Sequence, residues 1–304
     1  VSPPSRAARA PRTARAQHVG QAGPLVRIAG AALLAFASLV SSACSNEAKK
    51  SASFAKEHVQ ALVPVVHEDV REVREGLPLG AVELGKLLPE GDVDPQTARE
   101  ALEKARNKVQ DLRIAKSTFF AFLTPNGVVV RDDQPQDRLA GKNLLDAFPG
   151  LRAALATNQL VETRGSMPEA AEVRGKPDGQ WVAGASVRTG TTTRGLYATG
   201  WSWSAYAYRL ENAVRSAARS AATSPQKEPL LYAFVIVEDQ VYGAPVSPEV
   251  NARAVHDHAP LDRLQAGVPT TAELEITGRS FGLAAELAPD LGAKVAIAVL
   301  RSET

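Results

Sequence analysis

Two stretches of this 304-residue chain carry residue types and spacings suited to binding chemistry. In "RGLYATGWSWS" the two-residue period of an extended strand places Tyr197, Thr199, Trp201 and Trp203 on one face. The neighbouring "QWVAGASVR" carries Trp181, Ser186 and Arg188. Indole and phenol groups bring large contact area with a polar handle, as concave sites for small ligands require. Arg131 and Arg188 could supply charge to an anionic ligand. The same aromatics would equally serve to pack a core, or an interface with the helix that comes after them.

Other polar clusters point less sharply. "RDDQPQDR" holds Asp132, Asp133 and Asp137 but lacks the alternating oxygen ligands and turn glycine of a calcium loop. It reads as a solvated loop, with Asp132 or Asp133 as a ligand-contact candidate. "HDH", His256 to His258, would share a face on a strand and could then ligate zinc. The segment is helical in pattern, where that spacing diverges, so solvated histidines are expected and no metal site is assigned. There is no G-x-S-x-G elbow, phosphate-binding glycine loop or H-E-x-x-H. The expectation is a protein that is not an enzyme and requires no cofactor.

The single cysteine, Cys44, stands where an apolar run from Ile28 to Val40, preceded by Arg27, gives way through Ser41, Ser42 and Ala43 to charged sequence. Charge, apolar helix and small-residue exit is the order of a secretory signal. The uncharged run of about 13 residues falls short of the roughly 20 that span a bilayer core. Cleavage after Ala43 would make Cys44 the new N-terminus, which resembles a bacterial lipoprotein signal whose cysteine is acylated. That family prefers Leu three residues before the cysteine, where Ser41 stands here. Ordinary secretory cleavage, leaving a free thiol, and an organellar transit peptide are the alternatives. The lipoprotein resemblance implies a periplasm-facing protein held in the cell envelope by lipid on Cys44. Ser45, in place of an inner-membrane-retention Asp, favours the outer membrane by analogy.

Of 35 Lys and Arg residues, five lie before residue 44 with no acid among them, leaving 30 basic against 33 acidic residues afterwards. The body of the chain is slightly acidic, which removes a bulk electrostatic case for nucleic-acid binding.

The elements that must position these residues are set by periodicity. Val59, Leu62, Val66, Val70, Val73 and Leu77 recur at spacings of three and four and mark a helix face, with Pro64 as a kink. Residues 76–95, rich in Gly and Pro, predict a connector with a short helix around Val82 to Leu88. A second helix starts with Asp94 as N-cap and Pro95 at its first position, its stripe being Leu102, Ala105, Val109 and Leu112. The two helices suit a hairpin or stalk, or a cover for the domain C-terminal to them. From Ser117 the order is strand, Asn126-Gly127 turn, strand, helix broken near Pro149, and three strands. After a linking helix the same order recurs from "LLYAFVIVEDQVYGAPV", a duplicated pattern rather than a solenoid.

This order, with "FAFLTPNGVVV" followed by "GKNLLDAFPGL" and the closing "VAGASVRTGTTTRGLYATGWSWSAYAYRLENAV", resembles the extracytoplasmic PAS-like modules called Cache domains, here in a double arrangement. The resemblance implies an α+β fold: N-terminal helices, then two PAS-like antiparallel-sheet units joined by a helix. The expected organisation is a signal peptide over 1–43, an anchored N-terminus and helical stalk over 44–116, a first unit over 117–203, a linking helix over 204–224 and a second unit over 225–304. In that family the ligand sits between the sheet and the helix-and-loop side of the first unit. Trp181, Ser186, Arg188, Tyr197, Trp201, Arg131 and Asp132 are the expected ligand-binding residues. Amino-acid-binding members carry an Arg two residues before the strand Trp and a Tyr after it. Gly179 and Val182 occupy those places here, so no amino-acid specificity is implied.

The expected function is therefore that of an anchored sensory module which binds a small molecule and, having no output domain of its own, acts through a partner protein. The alternative is a structural or assembly lipoprotein whose PAS-like units serve as protein-binding surfaces. Ligand binding predicts a closed, partly polar cavity beside Trp181 and Trp201, and the alternative a filled core with an exposed apolar patch.

Overall fold

The computed structural model describes residues 26–171, 178–221 and 228–303, with side chains from residue 46 onward except at position 221. The part of the expected signal peptide up to residue 25 lies outside the described residues, as does the side chain of Cys44, on which the anchoring expectation rests. The chain divides into two compact units, Val1–Ala43 and Cys44–Thr304. Residues 26–43 of the first are helical. Among the described residues no helix is long and apolar enough to cross a membrane.

Helix α1 (Val26–Leu87) presents the expected stripe: Val59, Leu62, Val66, Val70, Val73 and Leu77 are all buried. Its course corrects one expectation. Instead of giving way to a connector at residue 76, the helix continues through Gly76, Pro78, Gly80 and Gly85. Close packing explains these glycines better than a turn does. A Cβ on Gly80 would lie 2.8 Å from the Tyr197 ring, and one on Gly85 2.2 Å from the Arg188 carbonyl oxygen.

Helix α2 (Pro95–Lys108) begins as its sequence predicts, Asp94 Oδ1 accepting from the backbone N–H groups of Gln96 and Thr97 at 3.0 and 3.1 Å. A single-turn helix, α3 (Gln110–Ile114), leads into the first sheet.

The first module contains β1 (Phe119–Leu123), β2 (Val129–Asp132), the short helices α4 (Leu144–Ala147) and α5 (Arg152–Thr157), and then β3 (Val161–Gly165), β4 (Gln180–Thr189) and β5 (Thr192–Ser202). Its antiparallel sheet runs β2-β1-β5-β4-β3. Gly127 supplies the left-handed residue, φ +88°, that the β1–β2 turn requires. Helix α6 (Trp203–Ala221) comes next, capped by Asp178, whose carboxylate accepts from both the N–H and the hydroxyl of Ser204.

The second module repeats the plan with β6 (Leu230–Val237), β7 (Gln240–Gly243), α7 (Glu249–His258), β8 (Thr270–Ile276), β9 (Arg279–Leu287) and β10 (Val295–Ser302). The strand order β7-β6-β10-β9-β8 has the same topology as the first sheet. The fold is α+β, with two five-stranded antiparallel sheets joined by a helix.

One apolar layer is shared by both sheets. It joins the buried side of α1 from Ala55 to Leu84, the buried side of α2, one face of each sheet and the inner side of α6. The opposite face of the first sheet packs beneath α4, α5 and the loop after β2, and that of the second beneath α7. Arg74 on α1 ties the modules, donating to Glu162 of β3 and, at 2.9 Å, to the carbonyl of Asp290 beyond β9.

Candidate functional site

A cavity of about 300 Å³ opens on the helix-and-loop side of the first sheet. Thr118 and Phe119 at the start of β1 and Asp132 at the end of β2 form its sheet wall. The loop after β2 contributes Gln134, Pro135, Gln136, Arg138 and Leu139, and the segment after β3 adds Glu169, Ala170 and Ala171. Its size is at the lower end of the range for small-molecule sites.

The loop is held by its own carboxylates. Asp137, in the left-handed region at φ 43°, accepts from the Asp132 N–H at 2.9 Å and from Arg131 Nη1 at 2.6 Å. Asp132 Oδ1 accepts from the Gln134 N–H at 2.8 Å and Oδ2 from the Leu139 N–H at 3.1 Å. Asp132 is only 1% exposed, and burial pushes its carboxyl above the ordinary range against the pull of those two N–H groups. At the rim, Glu169 pairs with Lys142 at 2.8 Å, and Arg138 Nε donates to Gln136 Oε1 at 2.8 Å.

The residues expected to form a ligand site fall in three places. Asp132 lines the cavity. Arg131, one residue earlier, pairs with Asp137 behind it. Ser186 and Arg188 are engaged elsewhere: the Ser186 hydroxyl donates to Asn158 Oδ1 at the end of α5, and Arg188 Nη2 to the Thr191 carbonyl at 2.6 Å.

Trp181, Tyr197 and Trp201 share a face, as alternation predicts, but that face is turned to α1, away from the cavity. Trp201 is sandwiched, its ring 4.4 Å from that of Trp181 and 4.6 Å from that of Tyr206. The stack ends on α1, where Tyr206 donates to Asp69 at 3.2 Å and Arg209 Nε to the same carboxylate at 2.7 Å. These aromatics are packed core of the kind the sequence left open. Trp203 begins α6, and Thr199 Oγ1 donates to the Phe119 carbonyl at 2.7 Å.

Thr118, Gln134, Arg138 and Glu169 were not singled out in the sequence. A signal existed for the loop residues, since "RDDQPQDR" begins in the last two residues of β2, whose side chains must face opposite sides of the sheet. His256 and His258 are exposed on α7, bonded to Asp257 and to the Ala254 carbonyl. Among the described residues no group of three or more His, Cys, Asp or Glu side chains is placed to hold a metal ion.

No protein-family model matches the chain, and no curated protein matches it by sequence. Solved structures do match. The extracellular domain of vpHK1S-Z8, described as a histidine kinase, is 8% identical with a TM-score of 0.52, over 85% of this chain and 93% of that one. The ligand-binding domain of the Campylobacter jejuni chemoreceptor Tlp3, solved with 4-methylisoleucine, is 9% identical with a TM-score of 0.49, over 84% and 92%. That of the Pseudomonas aeruginosa PAO1 amino acid chemoreceptor PctB, solved with L-Gln, is 14% identical with a TM-score of 0.44, over 82% and 91%. At these identities the likeness is one of fold alone. The chain therefore has a tandem PAS-like architecture, two five-stranded antiparallel sheets joined by a helix, similar in fold to that extracellular domain.

Proposed function

We propose that this chain is a bacterial cell-envelope lipoprotein, anchored by acylation of Cys44 and facing the periplasm, that binds a small molecule in its first module and passes the bound state to a protein partner. The observation that carries the reading is the cavity beside Asp132, on the side of the sheet where ligands of this fold are expected. Beside Trp181 and Trp201, where this reading expects the cavity, the core is filled, as the structural or assembly alternative expects; the open space that supports binding lies instead beside Asp132. The fold likeness to an extracellular domain supports exposure outside the cytoplasm. Helix α1 packs on both sheets and is the element through which occupancy of the first module can reach a partner.

Thermal unfolding of the full chain against a metabolite library tests binding, because a ligand selective for the native state raises Tm by mass action. A compound that raises Tm in the wild type and loses its effect in Asp132→Asn supports the reading. A library with no active member, together with a stable protein complex captured from the native envelope, would instead favour the assembly role. The anchor is tested by the intact mass of protein from native membranes beside Cys44→Ala. Diacylglyceryl and acyl mass on a chain beginning at residue 44 is expected, and an unmodified terminus removes it.

A further inference from the structure

The arginines that the fold withdraws from solvent are met by acceptors, with one exception. Arg106 and Arg131 pair with carboxylates, and Arg188 and Arg194 donate to backbone carbonyls. Arg164 on β3 is partly buried and its Nη1 is closed off from solvent, yet it meets no hydrogen-bond or ion-pair partner among the described residues. A guanidinium offers five N–H donors, and a buried charged donor without an acceptor is costly to keep.

The position of Arg164 is specific. It stands opposite Trp181 in the β3–β4 register, so its side chain lies on the α1 side of the first sheet, away from the cavity beside Asp132. There it faces the loop after β9 in the second module, where a Cβ on Gly292 would lie 4.0 Å from the guanidinium carbon. Without a side chain at Gly292, the guanidinium stays approachable from that loop.

The carboxylates of this junction are committed elsewhere. Glu162 accepts from Arg74 Nε at 2.5 Å and Nη2 at 3.0 Å, and Asp290 pairs with Arg74 at 3.4 Å and with His67 at 3.1 Å. The counter-charge for Arg164 must therefore come from outside the chain. Because Glu162 and Asp290 stand in the same junction, it accommodates one added negative charge better than two. The planar fork of a guanidinium suits a halide through one nitrogen, or a carboxylate through two.

We propose that Arg164 holds a small monovalent anion, a halide or a monocarboxylate, at the junction of the two modules. The site lies on the opposite side of the first sheet from the ligand cavity and is independent of it.

The test reads chloride directly, through the excess chlorine NMR line width produced by the full chain, with ionic strength held constant by a bulky sulfonate. A saturable component is expected in the wild type and in Arg99→Gln, which alters an exposed arginine on α2, and is expected to weaken about tenfold or vanish in Arg164→Gln. Formate should displace the chloride, and sulfate at equal ionic strength should not. Crystals of the wild type grown in bromide locate the ion, with an anomalous peak expected within hydrogen-bonding reach of Arg164 Nη1. That measurement decides the question if Arg164→Gln does not fold. Equal line widths in the wild type and Arg164→Gln, bromide found only at other arginines, or a carboxylate of the chain itself on Arg164 would overturn the proposal. Sulfate displacing chloride more strongly than formate would overturn the monovalent class.

Discussion

Asp132 and Asp133 are consecutive in the chain and serve opposite sides of the first sheet. Asp132 lines the cavity, whereas Asp133 turns to α2, accepting from the Phe120 N–H at 2.8 Å and from Arg106 Nη1 at 2.8 Å. Arg106 lies over the Phe120 ring, 4.4 Å from its centroid, so this corner fixes the edge of the sheet to the helices. The division of labour is positional: the strand ends here, and one carboxylate secures it while the other faces open space.

The two substitutions of Asp133 should differ in stability. Asp133→Asn retains an acceptor for the Phe120 N–H and loses only the half-buried charge pair, a cost of about 1 kcal/mol. Asp133→Ala also leaves the buried Phe120 N–H without a partner, adding about 1–3 kcal/mol. Urea midpoints of the two variants check this, and equal losses would show that the hydrogen bond contributes nothing.

The aromatic stack predicts a second contrast. Trp201 is 1% exposed between Trp181 and Tyr206, and its Nε1 finds no hydrogen-bond partner among the described residues. Trp201→Ala should cost about 3–5 kcal/mol through the cavity it leaves. Trp201→Phe keeps a ring in the stack and removes a desolvated donor, so its cost should be under half of that. If chemical denaturation ranks the two alike, the indole nitrogen has a partner in solution.

The features legible in the sequence are those that local chemistry dictates. Asp94 with Pro95 starts α2, Asn126 with Gly127 turns β1 into β2, and the three-and-four spacing from Val59 to Leu77 marks the buried side of α1. Alternation also placed Tyr197 and Trp201 together. It could not say which face they were on, because β4 and β5 are buried on both sides and period alone does not name the covering element. The glycines of α1 were misread for a related reason: glycine permits a turn and permits close approach, and only the partner, here Tyr197 and the Arg188 carbonyl, decides between them. Of the cavity, only Asp132 was visible in advance, since the remaining walls come from segments brought together by the fold.

Gly282 tests how α1 docks on the second sheet. A Cβ there would stand 1.9 Å from the backbone nitrogen of Ala52, and the atoms it meets are backbone of α1 facing an interior strand, with no flexible end that could yield. Gly282→Ala should cost about 2–3 kcal/mol and raise hydrogen exchange in α1 around Ala52 before it affects the first module. Uniform loss of protection across both modules would mean that the shared apolar layer melts as one piece.

The same docking region sets a pH dependence. His58 on α1 accepts a hydrogen bond from Arg301 Nη1 at 2.7 Å, and burial first, then the Arg301 charge, hold its pKa at about 4 against the partial opposition of Glu303. In the unfolded chain the imidazole titrates near 6.5, so between about 6.5 and about 4 the unfolded state binds more protons. The contribution of His58 is therefore complete above about 6.5 and is lost progressively as pH falls to about 4. Glu72, Asp132, Asp133 and Glu211 act in the opposite sense: burial raises their carboxyls, so their terms weaken the fold as pH rises through those values. The two trends are separated by difference. His58→Gln, measured beside the wild type from pH 4 to pH 7, should narrow the stability gap on acidification and leave the carboxylate slope unchanged. Parallel curves for the two proteins would show that His58 is protonated as readily in the fold as out of it.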